Sequence, residues 1–320
     1  MQQDTKIRPM IEGGILSAMA IVFAFISAYV PVLGTFVNLV WPVPIILLGV
    51  RHGYKWSIMA TVVAGIIIAL MMHPLHAASV VIGYSLIGIA LGYAIRAGFS
   101  PVKTLLWGAA ASLVSKALLL FISALILGLN PLALQTEGLK ATVENAVAIY
   151  RAIGIPETQL QQIEDNLSNT VEIMVKVIPA GFVLASIADT YLNFWVAKAV
   201  LKKLGVTLPS FPPIKRWGFP VTVLYLYGVS IGLLYLGHSN QLEWLIDTGM
   251  NLNALMTVLL IVQGMALFYY FADKYNLPSL LRGIILVVLV FGPFLQLVAM
   301  AGAFDMAIDY RRLRTPEAGE

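Results

Sequence analysis

Two charges stand where apolar helix is expected: Lys116 within Thr104–Leu127 and Asp189 within Val177–Ala199. An ionised side chain at mid-bilayer costs about 2.5–3.5 kcal/mol on insertion scales, so it normally faces a cavity or finds an opposite charge. The two segments are consecutive spans and place Lys116 and Asp189 at similar depth, so the pair is expected to meet or to share a polar cavity. Asn193 follows Asp189 by four residues and falls on the same helix face, whereas Tyr191 does not. The chemistry open to Lys116, Asp189 and Asn193 is an internal ion pair that fixes helix register, or the binding of a polar solute or ion.

Other residue patterns carry less. His73 and His76 flank Pro74, His238 lies in another outer loop and His52 on the opposite side; without a converging carboxylate they make no metal site. There is no Gly-rich phosphate loop, no His-Glu-x-x-His helix and no Gly-x-Ser-x-Gly elbow. No catalytic residue, cofactor site or enzyme activity is therefore expected, and ATP-driven work would need a separate ATPase subunit. Asp305 and Asp309 share a face and are expected to pair with Arg312 or Arg282. Ala20, Ala24 and Ala28, preceded by Gly13, Gly14 and Ser17, form a stripe of small side chains that lets another backbone approach closely, either inside the bundle or on a partner helix.

The elements that must position these residues follow from composition. Of 320 residues, 59% are hydrophobic and 11% charged, with no cysteine, and the mean hydropathy is +0.87. A soluble domain carries about a quarter charged residues, so this chain lacks the polar surface to coat a globule in water. Apolar runs near the roughly 20 residues that cross a bilayer recur, and they lack two-residue alternation. The fold class is an all-α, polytopic transmembrane bundle.

The expected spans are Met10–Val30, Phe36–Val50, Trp56–Met72, Ala77–Ile95, Thr104–Leu127 and Val177–Ala199, then Pro220–Leu236, Leu252–Phe271 and an apolar block at Leu280–Ala303. Gly292-Pro293 interrupts that last block, which is either one kinked span or a hairpin that returns Arg311, Arg312 and Arg314 to the basic side. The basic connections fall on one face if the spans alternate, which predicts a multi-pass protein of the cell inner (plasma) membrane with a cytoplasmic amino terminus. Residues 1–200 form a six-span module, 201–219 a Pro-rich basic cytoplasmic linker, and 220–320 a module of three or four further helices. Within the first module, residues from about 131 to 170 turn polar, with apolar positions every three or four residues, and are expected to form external amphipathic helices.

The run Gly13-Gly14-Ile15-Leu16-Ser17-Ala18-Met19-Ala20, the phrase WPVPIILLGVRHG from Trp41 to Gly53, and Gly65, Gly83, Gly88 and Gly92 resemble the substrate-binding (S) subunits of energy-coupling-factor vitamin transporters. The whole chain, with its Pro-rich linker and its ending GAFDMAIDYRRLR, resembles the YybS-like membrane proteins of the DUF2232 family. In the transporter subunits the first-helix alanines touch a shared transmembrane coupling subunit, a role the resemblance carries to Ala20, Ala24 and Ala28. It also implies an outward pocket formed by the later helices and the loop after the first span, here Pro31–Val40.

Two functions follow as expectations. One is a transport-related, substrate-capturing subunit working with a coupling subunit and ATPase subunits on an unspecified small molecule. It requires a concave pocket near Lys116, Asp189 and Asn193. The other is a membrane scaffold or assembly protein, for which the six-helix core would be sealed. The partners common to both are lipids rather than nucleic acid, because the basic residues cluster at helix ends.

Overall fold

The computed structural model describes residues 4–30, 32–72, 74–128, 131–311 and 313. His73, Arg312 and Arg314 lie outside them. Regular structure among the described residues is entirely helical: α1 (Asp4–Tyr29), α2 (Leu33–Val40), α3 (Val43–His52), α4 (Tyr54–Met71), α5 (Pro74–Val80), a π-helical turn (Val81–Ser85), α6 (Leu86–Arg96), α7 (Pro101–Leu127), α8 (Pro131–Ala152), α9 (Glu157–Lys176), α10 (Ile178–Lys203), a 3-10 turn (Ile214–Arg216), α11 (Thr222–Asn240), α12 (Glu243–Lys274), α13 (Ser279–Phe291) and α14 (Leu295–Ile308). Among the described residues, six helical segments are long and apolar enough to cross a membrane, and a seventh counts if α13 and α14 are one span. The protein is a polytopic, all-α membrane protein.

The chain divides into two compact units, Met1–Ile155 with Phe182–Phe211, and Pro156–Gly181 with Pro212–Glu320. The division near residue 211 falls within the 201–219 linker. The polar stretch, however, is split rather than belonging wholly to the first module. Gly154, at φ 87°, ends α8, and α9 groups with the second unit.

In unit 1 the second expected span is broken. Pro42 caps α3 and Pro44 sits in its first turn, where a missing N–H costs nothing. From Val43 to Gly49 every residue is buried, so α3 is a core half-helix rather than a lipid-facing span. Its partner is α6. A Cβ on Gly49 would meet Gly92 Cα at 3.0 Å, and one on Gly88 would meet Ile45 Cβ at 2.9 Å, so glycines of the WPVPIILLGVRHG phrase and of the fourth span bring two backbones together. The stretch Arg51–Lys55, between the second and third expected spans, contracts to a break at Gly53, whose φ of 101° lets α3 end and α4 begin at once.

Unit 2 is built on α12, whose 32 residues extend about 48 Å and outreach a hydrocarbon core of about 30 Å. Asn251 on α12 joins it to the junction of α9 and α10. Its Oδ1 accepts from Ala180 N at 2.9 Å and its Nδ2 donates to Lys176 O at 2.8 Å. These are groups that helix ends leave without intrahelical partners. Asn251→Leu is expected to cost about 1–3 kcal/mol locally, seen as faster hydrogen exchange at the Ala180 amide; unchanged protection there would show that the staple contributes nothing.

The final apolar block follows the hairpin form in its connectivity but is splayed rather than tight. α13 and α14 are bent by 104° across Gly292-Pro293. The end of α14 lies back at the carboxy-terminal end of α12, where Tyr310 packs on Phe271 with ring centroids 5.4 Å apart and Arg311 Nη1 donates to Lys215 O at 2.7 Å. The pair therefore enters and leaves at one end of the unit, as a splayed re-entrant element.

Candidate intramembrane polar site

The site lies in unit 1 on α7 and α10. Pro101 opens α7 and Ser100 caps it by accepting from Lys103 N at 3.4 Å; Gly128, at φ 62°, closes it. This fixed length puts Ser112, Ser115 and Lys116 near the helix centre. On α10, Ser186, Asp189, Thr190 and Asn193 follow at helical spacing.

Lys116 Nζ donates to Asp189 Oδ2 at 2.6 Å and to Ser112 Oγ at 2.8 Å. Asn193 is brought in as well, its Nδ2 donating to Asp189 O at 2.8 Å, while its buried Oδ1 has no protein partner among the described residues. Lys116 and Asp189 retain 20% and 27% side-chain exposure. Ser186 and Thr190 spend their hydroxyls within α10, on Phe182 O and Ser186 O, both at 2.7 Å.

One contributor was missed by sequence reasoning. The fourth span contains the π turn Val81–Ser85, and Ser115 Oγ lies 2.6 Å from Ile82 O and 2.7 Å from Gly83 O. A π turn leaves carbonyls misaligned, and a hydroxyl from the neighbouring helix serves them. The turn carries Tyr84, which lies within Coulombic reach of Asp189 and 6.3 Å from the Trp41 ring, and Ser85, whose buried Oγ has no partner among the described residues. A one-residue change of helical repeat leaves little trace in a pattern apolar on all sides.

The small-residue stripe is divided. Ala20 and Ala24 are fully buried with Trp41, Ala60 and Ala64 in one core cluster, and Trp41 Nε1 donates to Ala20 O at 2.9 Å. Ala28 is exposed. Two of the three positions thus serve packing inside unit 1 and are not available to a partner in this structure.

Other charges fall differently from expectation. Asp305 pairs with Arg311 rather than with Arg282, and the other expected partner, Arg312, lies outside the described residues: Arg311 Nη2 lies 2.8 Å from Asp305 Oδ2, with both side chains almost wholly buried. Asp309, at φ 52°, ends α14, so the chain doubles back and carries Arg311 over the last turn. Gln263 Nε2 donates to the same Asp305 oxygen at 2.6 Å. Arg282 instead pairs with Asp273. Asp309 Oδ1 accepts from Leu313 N at 3.1 Å.

Glu12 was also missed. It gathers Arg51 at 2.9 Å and His52 Nε2 at 2.8 Å, which gives that histidine a carboxylate partner. His238 Nδ1 lies 2.8 Å from Leu234 O. Among the described residues no three His, Asp or Glu side chains gather as metal ligands. A recess of about 460 Å³ in unit 1 is lined by His52, Tyr54, Lys55, Trp56, Tyr93 and Arg96, and does not include Lys116, Asp189 or Asn193.

Recurrent long apolar helices, with a paired charge near the middle of two of those in unit 1, define a class, the polytopic α-helical membrane proteins. Within it, the chain belongs to the family described as predicted membrane protein (DUF2232), whose model matches residues 18–306. It is similar to the uncharacterized protein YybS of Bacillus subtilis (strain 168), at 24% identity over 309 residues that cover 95% of this chain and 97% of the relative. No solved structure matches it.

Proposed function

We propose that this protein is a transport-related membrane subunit that captures a small polar solute in unit 1, with its amino terminus cytoplasmic, and works with a coupling subunit and ATPase subunits. The observation that carries this reading is the Lys116–Asp189 pair, 2.6 Å apart near the middle of two apolar helices. An intramembrane charge pair is costly to keep for packing alone, since apolar residues of similar volume often pack as well or better. Beside it Asn193 Oδ1 has capacity to spare, and Ser115, the neighbour of Lys116, bonds a π turn, a form frequent at functional sites.

A competing reading, a membrane scaffold, draws on the burial of Ala20 and Ala24. Contact with a coupling subunit through α1 would have to use its exposed side, with Ile15, Met19 and Val22.

The test is to purify the protein with its endogenous partners in mild detergent and identify co-purifying subunits and small molecules by mass spectrometry, beside a Lys116→Met/Asp189→Leu double variant. Removing both charges is expected to leave stability near that of the parent, whereas Lys116→Met alone leaves Asp189 unpaired and costs about 3 kcal/mol. Recovery of an ATPase pair, with a small molecule that the double variant loses, supports capture. Absence of both from the parent protein, or full retention of the molecule by the variant, would sink it.

A further inference from the structure

At the carboxy-terminal end of α12, unit 2 has a recess of about 410 Å³ lined by Lys215, Arg216, Tyr270, Asp273, Lys274 and Arg311. A second, of about 550 Å³, shares Lys215, Arg216 and Asp273 with it and adds Arg282. The ion pairs are unevenly distributed. Asp273 is bound by Lys215 at 2.7 Å and by Arg282, and Arg311 is neutralised by Asp305. Arg216 and Lys274 are exposed and have no carboxylate partner among the described residues. Two unbalanced cations therefore face one concavity, which calls for an anion.

Depth and surroundings identify what kind of anion. Because α12 is about 48 Å long, its end reaches the headgroup layer of a bilayer whose full thickness is about 40–45 Å. The next helix, α13, carries Arg282 near its start and has no buried residue. Leu280, Ile284, Val287 and Phe291 are exposed on it at helical spacing. A free phosphate would use the cations alone, whereas a lipid would use the cations and the apolar stripe that leads away from them.

We infer that unit 2 holds an anionic glycerophospholipid here, with its phosphate between Arg216 and Lys274 and its acyl chains along α13. Basic pockets of this kind between membrane helices suit lipid headgroups, and each cation near an anionic lipid contributes about fivefold in affinity.

The test titrates the full chain in mild detergent, by native mass spectrometry, with phosphatidylglycerol, with phosphatidylcholine of the same acyl chains, and with inorganic phosphate. The expected result is preferential binding of phosphatidylglycerol, weakened about 10- to 30-fold in Arg216→Ala/Lys274→Ala, with no competition from inorganic phosphate. Equal binding of the two lipids, or wild-type affinity in the variant, overturns the inference. So does full competition by inorganic phosphate, which would assign the recess to a soluble anion. If the lipid-free variant melts lower than the parent, Arg216→Gln/Lys274→Gln replaces it. A salt series on the parent gives an independent reading: affinity for phosphatidylglycerol should fall as salt rises, and a flat response overturns the assignment.

Discussion

Replacing Asp305 with alanine is expected to destabilise unit 2 by about 3–5 kcal/mol, since it leaves a buried guanidinium without its counter-charge. Asp305 Oδ2 accepts from Arg311 Nε at 3.0 Å, Arg311 Nη2 at 2.8 Å and Gln263 Nε2 at 2.6 Å, so one oxygen anchors α14, the chain after it and α12. Arg311→Ala is expected to cost a similar amount, and also to lose the hydrogen bond to Lys215 O. The double variant Asp305→Leu/Arg311→Met should recover most of the loss, because two matched apolar groups need no desolvation of charge. Tryptophan-monitored unfolding in detergent measures all three. A melting midpoint unmoved by either single change would show that the pair is not what holds the tail.

A comparable loss is expected where α12 crosses α14. A Cβ on Gly264 would stand 2.0 Å from Val298 O, and one on Gly302 would stand 2.0 Å from Leu260 O. The obstacles are backbone carbonyls, which cannot swing aside as a side chain would, so even Gly302→Ala forces the helices apart. The cost should be about 3 kcal/mol, the upper end of the overpacking range. Gly232→Ala on α11 is the control, since nothing lies within 4 Å of its added methyl; it should be neutral or slightly stabilising. Equal melting of the Gly302→Ala and Gly232→Ala variants would mean that the crossing is looser than these distances.

The same contrast separates what was legible in the residues from what was not. Lys116 and Asp189 announced themselves because a charge in an apolar run has few low-energy fates, and spans of fixed length set its depth. Asp305 is legible too as a charge in need of a partner, but which arginine fills that place depends on where the chain turns after α14. Glu12 is not legible in this way: its partners Arg51 and His52 are some forty residues away and meet it only when α1 packs beside α3.

What the sequence by itself determined about this protein is its solvent and its class. Few charges and recurrent long apolar runs oblige the backbone to satisfy its own hydrogen bonds in lipid, and only helices do so within one segment. Only the tertiary structure decided which of those runs are spans. Phe36–Val50 became a broken, buried half-helix, Leu280–Ala303 a bent re-entrant pair, and one span acquired a π turn. The physical reason is that hydropathy reports the preference of a segment for a non-aqueous place, and the interior of a helical bundle satisfies that preference as well as lipid does. Proline and close-packed glycine backbones then determine which of the two a segment occupies.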